Sequence, residues 1–151
     1  MTWVYILAYD IWNFEYTYLN LPTHTWYCGF ALLLAPTFAA IFWNKGGWIQ
    51  NRANTLATWC MFAQVFPLFL DKSRFSVIPS LYADGFMDAA IHPTLVDPRA
   101  GGIIAVLSIL VNVAALAYII KRAKAQHKNP YKNEIFVGTR DFEEAMARAE
   151  A

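Results

Sequence analysis

The residues with the most distinctive chemistry lie in one apolar segment near the start of the chain. Residues 3–21 read WVYILAYDIWNFEYTYLNL, and Asp10 falls close to the middle of this segment. In a helix, with a turn of about 100° per residue, Asp10, Asn13 and Thr17 share one polar stripe. A carboxylate at membrane depth, flanked by amide and hydroxyl groups, is typical of ion and proton pathways. We therefore interpret these residues as part of an ion or proton path, or of a polar ligand pocket.

The second carboxylate of this segment, Glu15, points about 140° away from Asp10 on the same helical wheel. We include Glu15 in the path as a hypothesis, although it needs a partner of its own. For both carboxylates the alternative is a hydrogen-bonded clasp between helices, since polar groups commonly join helices in membranes. For Thr17 the alternative is a hydroxyl that bonds to its own backbone.

A metal site and a catalytic site have weaker support. Asp84, Asp88 and His92 are spaced four residues apart and could ligate a metal from one helix face, but a solvated face is the commoner explanation. The sequence contains no glycine-rich phosphate loop, HExxH, CxxC or GxSxG motif. We therefore predict no catalytic residue, no metal site and no cofactor, and we do not expect an enzyme.

Composition predicts that these residues belong to a membrane protein. The chain is 58% hydrophobic and 15% charged, whereas soluble domains average about 25% charged residues. Residues 101–120 carry no charge and are long enough to cross a bilayer as a helix. Basic residues follow at once, and we predict that Lys121, Arg122 and Lys124 contact anionic lipid headgroups rather than nucleic acid.

The whole pattern predicts an all-α, polytopic integral membrane protein. We place four transmembrane helices in a domain of residues 1–120, at about 3–21, 25–43, 53–70 and 101–120, with an extracytoplasmic loop at 71–100. Residues 121–151 then form a basic cytoplasmic tail with a short amphipathic helix. Seven of the twelve Lys and Arg residues lie in the last 31 positions, so the positive-inside rule predicts that both termini are cytoplasmic.

Contacts between helices are suggested by small and polar residues. Ala31, Ala35 and Ala39 recur every four positions, and such a stripe lets two membrane helices approach closely. Gln64 and Asn112 lie near the middle of the third and fourth segments, where we predict hydrogen bonds across helices. A chain this short, with polar groups in apolar segments, is expected to pack with other membrane subunits or with copies of itself.

Three strings carry a family resemblance: YDIWNFEYTYLNLP, then KGGWIQNRANTLATWCMFAQVFPLFLD, then KNPYKNEIF. In this order the chain resembles the C-terminal half of an uncharacterised family of bacterial multi-pass membrane proteins, defined by a domain of unknown function. The resemblance implies a multi-pass membrane topology and no mechanism, and we expect the protein to lie in the bacterial inner membrane.

Two functions follow as expectations. The first is a non-enzymatic integral membrane subunit that packs within a larger membrane protein assembly. The alternative is a component of a transporter or channel that uses Asp10 and the neighbouring polar residues as a proton or ion site.

Overall fold

The structure is a computed structural model that describes residues 2–20, 28–66 and 98–150. Within these ranges the regular structure is entirely helical. A π-helical segment, Cys28–Leu34, leads directly into α2, and the five α-helices are α1 (Trp3–Asn20), α2 (Ala35–Phe42), α3 (Trp48–Val65), α4 (Pro98–Ala125) and α5 (Arg140–Ala149). The predicted loop at 71–100 lies outside the described residues as far as position 97, and its last three positions belong to α4.

The prediction of four transmembrane helices was wrong. Among the described residues, only α4 is both long and apolar enough to cross a membrane. α1 has 18 residues, but Asp10 and Glu15 and the asparagines between the aromatic residues reduce its hydropathy. The π-helical segment and α2 contain seven and eight residues, 15 in all, which is shorter than the ~20 that a spanning helix needs.

The third predicted span failed because its helix occupies a different part of the sequence. α3 begins at Trp48 rather than at position 53, directly after a turn in which Gly46 has a φ of 80°. The earlier start adds residues 48–52 to the helix, and these include polar residues such as Arg52. The helix ends at Val65, because Phe66 precedes a proline in the sequence and such residues avoid helical backbone angles.

Helix α4 exposes most of its apolar surface. Only 6% of its most apolar stretch is buried within the structure. Large side chains around the helix are between 43% and 63% exposed: Ile103, Val106, Leu107, Ile109, Leu110, Val113, Leu116 and Ile120. A helix that is apolar on all sides is found in the interior of a large protein or in a membrane. By length and composition, α4 is therefore suited to crossing a bilayer.

Helix α1 packs antiparallel along α4. The Ser108 hydroxyl donates to Glu15 at 3.5 Å, and the Asn112 amide donates to the Ala8 carbonyl at 3.4 Å. Val4, one turn nearer the chain start, packs in the same cluster as Ala123. Later positions of α1 therefore match earlier positions of α4, and the start of α1 lies beside the basic end of α4.

The segment after α4 folds back and completes the core at this end. α4 terminates in a Schellman motif, in which His127 has a φ of 53° and the Lys128 N–H donates to the Ala123 carbonyl. The chain then returns Ile135 and Phe136 to α1 and α4, where they are 2% and 3% exposed. The tail is therefore part of the folded structure and not an appendage to it.

Arg122 holds this returning segment in place. Its guanidinium donates to the carbonyls of Ile135 and Val137, and its Cζ lies 5.5 Å from the centre of the Phe136 ring. A planar guanidinium can donate several hydrogen bonds and stack on a ring at the same time, which a lysine ammonium cannot do. The predicted contact of Arg122 with a lipid headgroup must therefore compete with these contacts inside the protein.

Replacing Arg122 with lysine distinguishes the effect of its positive charge from the effect of its hydrogen bonds and ring stacking. We expect Arg122→Lys to loosen residues 128–137, because the charge is kept while the forked hydrogen bonds and the stacking are lost. Limited proteolysis should show faster cleavage in this segment for Arg122→Lys, and no change for Lys121→Ala, whose side chain is exposed. Equal cleavage of Arg122→Lys and the wild type would indicate that the charge alone matters.

Candidate functional site

Asp10 lies where three helices meet. The Trp48 indole N–H of α3 donates to the Thr37 hydroxyl of α2 at 2.8 Å. That hydroxyl in turn donates to Asp10 Oδ2 of α1 at 2.6 Å. The threonine hydroxyl acts as acceptor and donor at once, so its proton is directed towards the carboxylate. A continuous hydrogen-bonded chain therefore joins α1, α2 and α3.

The second carboxylate oxygen of Asp10 has no such partner. Asp10 Oδ1 is buried and accepts no hydrogen bond from the described residues. The positive charge of Arg52 acts on Asp10 across the helix interface, yet Nε and Nη1 of Arg52 are buried without a hydrogen-bond acceptor among those residues. Burying a charged group without hydrogen bonds is costly. Asp10 thus combines one satisfied oxygen with one that can accept a hydrogen bond from a ligand.

A cleft of about 470 Å³ extends from Asp10 to the surface beside α5. Its floor contains Asp10 and Thr37. Its walls are mostly apolar and are formed by side chains of α1 and α2, namely Trp3, Ile6, Leu7, Ala40 and Ile41. Clefts of this size with apolar walls and few polar groups are typical of small-molecule sites.

Charged residues at the mouth of the cleft connect α5 to the α2–α3 turn. Lys45 lies 3.1 Å from Glu144, which also accepts a hydrogen bond from Arg140 at 2.8 Å. These contacts with Arg140 and Lys45 lower the pKa of Glu144 below its ordinary value. Asp141 accepts a hydrogen bond from the Trp3 N–H at 3.1 Å, so the first turns of α5 form one side of this mouth.

A second, smaller cavity of about 120 Å³ also reaches Asp10. Its other lining residues are apolar and come from α1 and the π-helical segment: Ile11, Phe14, Gly29, Phe30, Leu33 and Leu34. The π-helical segment lies just before Pro36, whose missing N–H leaves a carbonyl of the preceding turn without its usual helical donor. Wider turns of this kind are frequent at functional sites. Asp10 therefore lies in the wall between two cavities.

The predicted polar stripe does not form one continuous surface. Asp10 faces α2 and α3, whereas Glu15 accepts a hydrogen bond from Ser108 of α4. The Thr17 hydroxyl is buried and donates to the carbonyls of Asn13 and Phe14 in its own helix. The structure therefore brings Asp10 together with residues of other helices and separates it from Glu15 and Thr17.

The predicted packing residues have different surroundings. Asn112 contacts α1 through the Ala8 carbonyl and also donates to Ser108 in its own helix at 2.9 Å. Gln64 is exposed on α3. In the alanine stripe, Ala31 and Ala35 are exposed and Ala39 is half-buried. At the end of α4, the side chains of Lys121 and Lys124 are exposed, as a headgroup contact requires.

The weak metal candidates Asp84, Asp88 and His92 lie outside the described residues. Within 2–20, 28–66 and 98–150, no group of three His, Cys, Asp or Glu side chains is arranged to hold a metal ion.

Thr37, Trp48 and Arg52 are site residues that sequence reasoning does not identify. The apolar pattern places Trp48 at the membrane edge and Arg52 in a loop. One signal in the sequence points to them: Trp48 and Arg52 are four residues apart and share a helix face once α3 is extended to Trp48. A carboxylate in an apolar segment also calls for a partner, and Arg52 is the nearest arginine in the sequence.

Comparison with known proteins identifies the family but no function. The chain matches the family of unknown function DUF5692 over residues 1–148, and it therefore belongs to that family. No curated protein and no solved structure matches the chain.

Proposed function

We propose that this member of the DUF5692 family is a non-enzymatic subunit of a larger membrane protein assembly, anchored in the bilayer by α4. The exposure of α4 carries the proposal. Eight large apolar side chains of this helix are more than 40% exposed, which is unfavourable in water. Lipid tails and the apolar surfaces of partner chains would cover them.

The charges at the end of α4 support an orientation. Arg122 and Lys124 lie in the last turn, and no acidic residue lies in the first. Because basic residues flank membrane helices on the cytoplasmic side, we place this end and the folded tail in the cytoplasm. For a bacterial protein, the membrane would be the inner membrane.

The presence of a partner protein is suggested by exposed surfaces that lipid alone would cover poorly. Helix α3 exposes Asn54, Thr58 and Gln64 beside Met61 and Phe62. The exposed Ala31 and Ala35 would let a helix of another chain approach closely. Mixed surfaces of this kind suit a helix–helix interface, in which polar groups find hydrogen-bond partners.

The test is extraction of the tagged protein from its native membrane in a mild detergent, followed by native mass spectrometry. We expect additional chains in defined stoichiometry, and we expect Ala31→Leu with Ala35→Leu to reduce their recovery. Ile109→Leu on α4 is the matched control, because it keeps the volume of an exposed side chain. A monomeric protein without partners, or recovery from the soluble fraction after cell lysis, would contradict the proposal.

A second function is favoured by one specific observation. Asp10 lies in the wall of two cavities, with one buried oxygen that has no donor among the described residues. This arrangement suits a carboxylate that accepts a proton or an ion from one side and releases it to the other. In proteoliposomes, Asp10→Asn should abolish proton-coupled flux, while Glu15→Gln should preserve it. Equal flux in wild type and Asp10→Asn would remove Asp10 from any transport mechanism.

A further inference from the structure

We propose that the cleft beside α5 binds a small organic cation, a primary alkylammonium with a short apolar chain, and that Asp10 is its counter-ion. The inference does not depend on the proposed subunit role. It also does not require a path across the molecule, because a ligand could enter and leave through the mouth beside α5.

The floor of the cleft supplies the recognition of an ammonium group. Asp10 Oδ2 already accepts from Thr37, whereas Oδ1 is buried and accepts nothing from the described residues. An ammonium has three N–H donors and a positive charge, so it would satisfy Oδ1 and balance the carboxylate at once. The positive charge of Arg52 acts on Asp10, but Arg52 does not satisfy Oδ1, because its buried Nε and Nη1 have no hydrogen-bond acceptor in the described part of the chain.

The walls of the cleft fit the rest of such a ligand. Between Asp10 and the mouth the lining includes the apolar side chains of Ile6 and Leu7 from α1 and of Ala40 and Ile41 from α2. A volume of about 470 Å³ lies within the ~300–1,000 Å³ typical of small-molecule sites. An alkyl chain in contact with these side chains would bury apolar surface that water otherwise covers, which favours binding.

The mouth of the cleft favours a cation over an anion. Lys45 and Arg140, the two basic residues of the lining, both contact Glu144. Asp141 adds a further negative charge, so the lining contains three carboxylates against two cations. Glu144 therefore partly neutralises both basic side chains, which disfavours an anionic ligand.

The experiment is isothermal titration of the full-length protein in detergent micelles. The probes are butylammonium, butanesulfonate and butanol, which share one chain length and differ in charge. We expect saturable binding of butylammonium alone and at least a tenfold weaker affinity in Asp10→Asn. Glu15→Gln is the matched control, because its carboxylate faces Ser108 of α4 rather than the cleft, and it should bind as the wild type does.

A second variant keeps the test decisive if Asp10→Asn fails to fold. Ile41 lines the cleft and is 52% exposed, so Ile41→Trp should fill the space and leave the fold intact. Loss of butylammonium binding in Ile41→Trp, with normal helicity by circular dichroism, would support the site. Three outcomes would overturn it: no saturable binding of butylammonium by the wild type, wild-type affinity in a folded Asp10→Asn or Ile41→Trp variant, or preferential binding of butanesulfonate. Equal flux of protons in Asp10→Asn proteoliposomes would affect the transport hypothesis alone.

Discussion

Phe136→Ala should destabilise the protein by about 3–5 kcal/mol and release the tail from the helices. The Phe136 ring is 3% exposed and packs against Tyr5, at 5.5 Å between ring centres, and against Tyr118, at 6.3 Å. The substitution removes these contacts and the surface on which Arg122 stacks. Thermal unfolding in detergent, followed by circular dichroism, would measure the loss of stability.

Tyr131→Ala is the matched control for this prediction. Tyr131 is an aromatic residue of the same tail, but its side chain is 96% exposed. Its removal should change the unfolding temperature little, because surface substitutions usually alter stability by less than about 0.5 kcal/mol. If Phe136→Ala and Tyr131→Ala unfolded at the same temperature, the tail would not contribute to the core. The contacts of Arg122 with the tail would then not stabilise the protein.

The sequence predicts part of the helical structure. The uncharged run at 101–120 lies within α4, and α5 at Arg140–Ala149 lies in the tail, where the sequence predicts a short helix. Thr139 is the N-cap residue of α5, and its hydroxyl donates to the Phe136 carbonyl and not to the helix. Local composition determines such features, and they can therefore be predicted from the sequence alone.

The number of spans could not be predicted in the same way, because it depends on where each helix begins and ends. For the third segment, hydropathy predicts a helix at residues 53–70, whereas α3 begins directly after the glycine turn at 46–47. The earlier start adds Arg52 to the helix and changes its character. Apolar stretches alone thus overestimate spanning helices when turn residues set the boundaries.

Of the candidate site, the sequence predicts the carboxylate but not its partners on other helices. A carboxylate in an apolar segment is conspicuous, so Asp10 could be identified. Its partner Thr37 lies 27 residues away, on a different helix that directly follows the π-helical segment. Polar stripes on a helical wheel describe one helix at a time and contain no information about which neighbour each face meets. The tertiary contacts of Glu15 and Ser108, 93 residues apart, illustrate the same limit.

Gly46→Ala should detach α5 from the mouth of the cleft. Gly46 has a φ of 80°, a conformation that costs a residue with a side chain about 1–2 kcal/mol. A Cβ atom at this position would also collide with the Cβ and Cα atoms of Ala145 in α5. Overpacking of this kind typically adds about 1–3 kcal/mol, and it acts on the contact that brings Lys45 to Glu144. The result should be faster proteolysis after position 138 and a lower unfolding temperature.

Gly138→Ala separates the two causes, because Gly138 has a nearly identical φ of 83° and no atom lies within 4 Å of the place that a Cβ would take. It should show the backbone cost alone, while Gly46→Ala shows the backbone cost and the collision. Gly102→Ala, in open space on α4, should be neutral or stabilising, since alanine favours helix over glycine by about 1 kcal/mol.

If Gly46→Ala were no more destabilising than Gly138→Ala, α5 would not press against the α2–α3 turn, and the cleft would be open on that side. Binding of butylammonium to Gly46→Ala should then equal that of the wild type, whereas a closed cleft predicts a measurably weaker affinity once α5 is displaced.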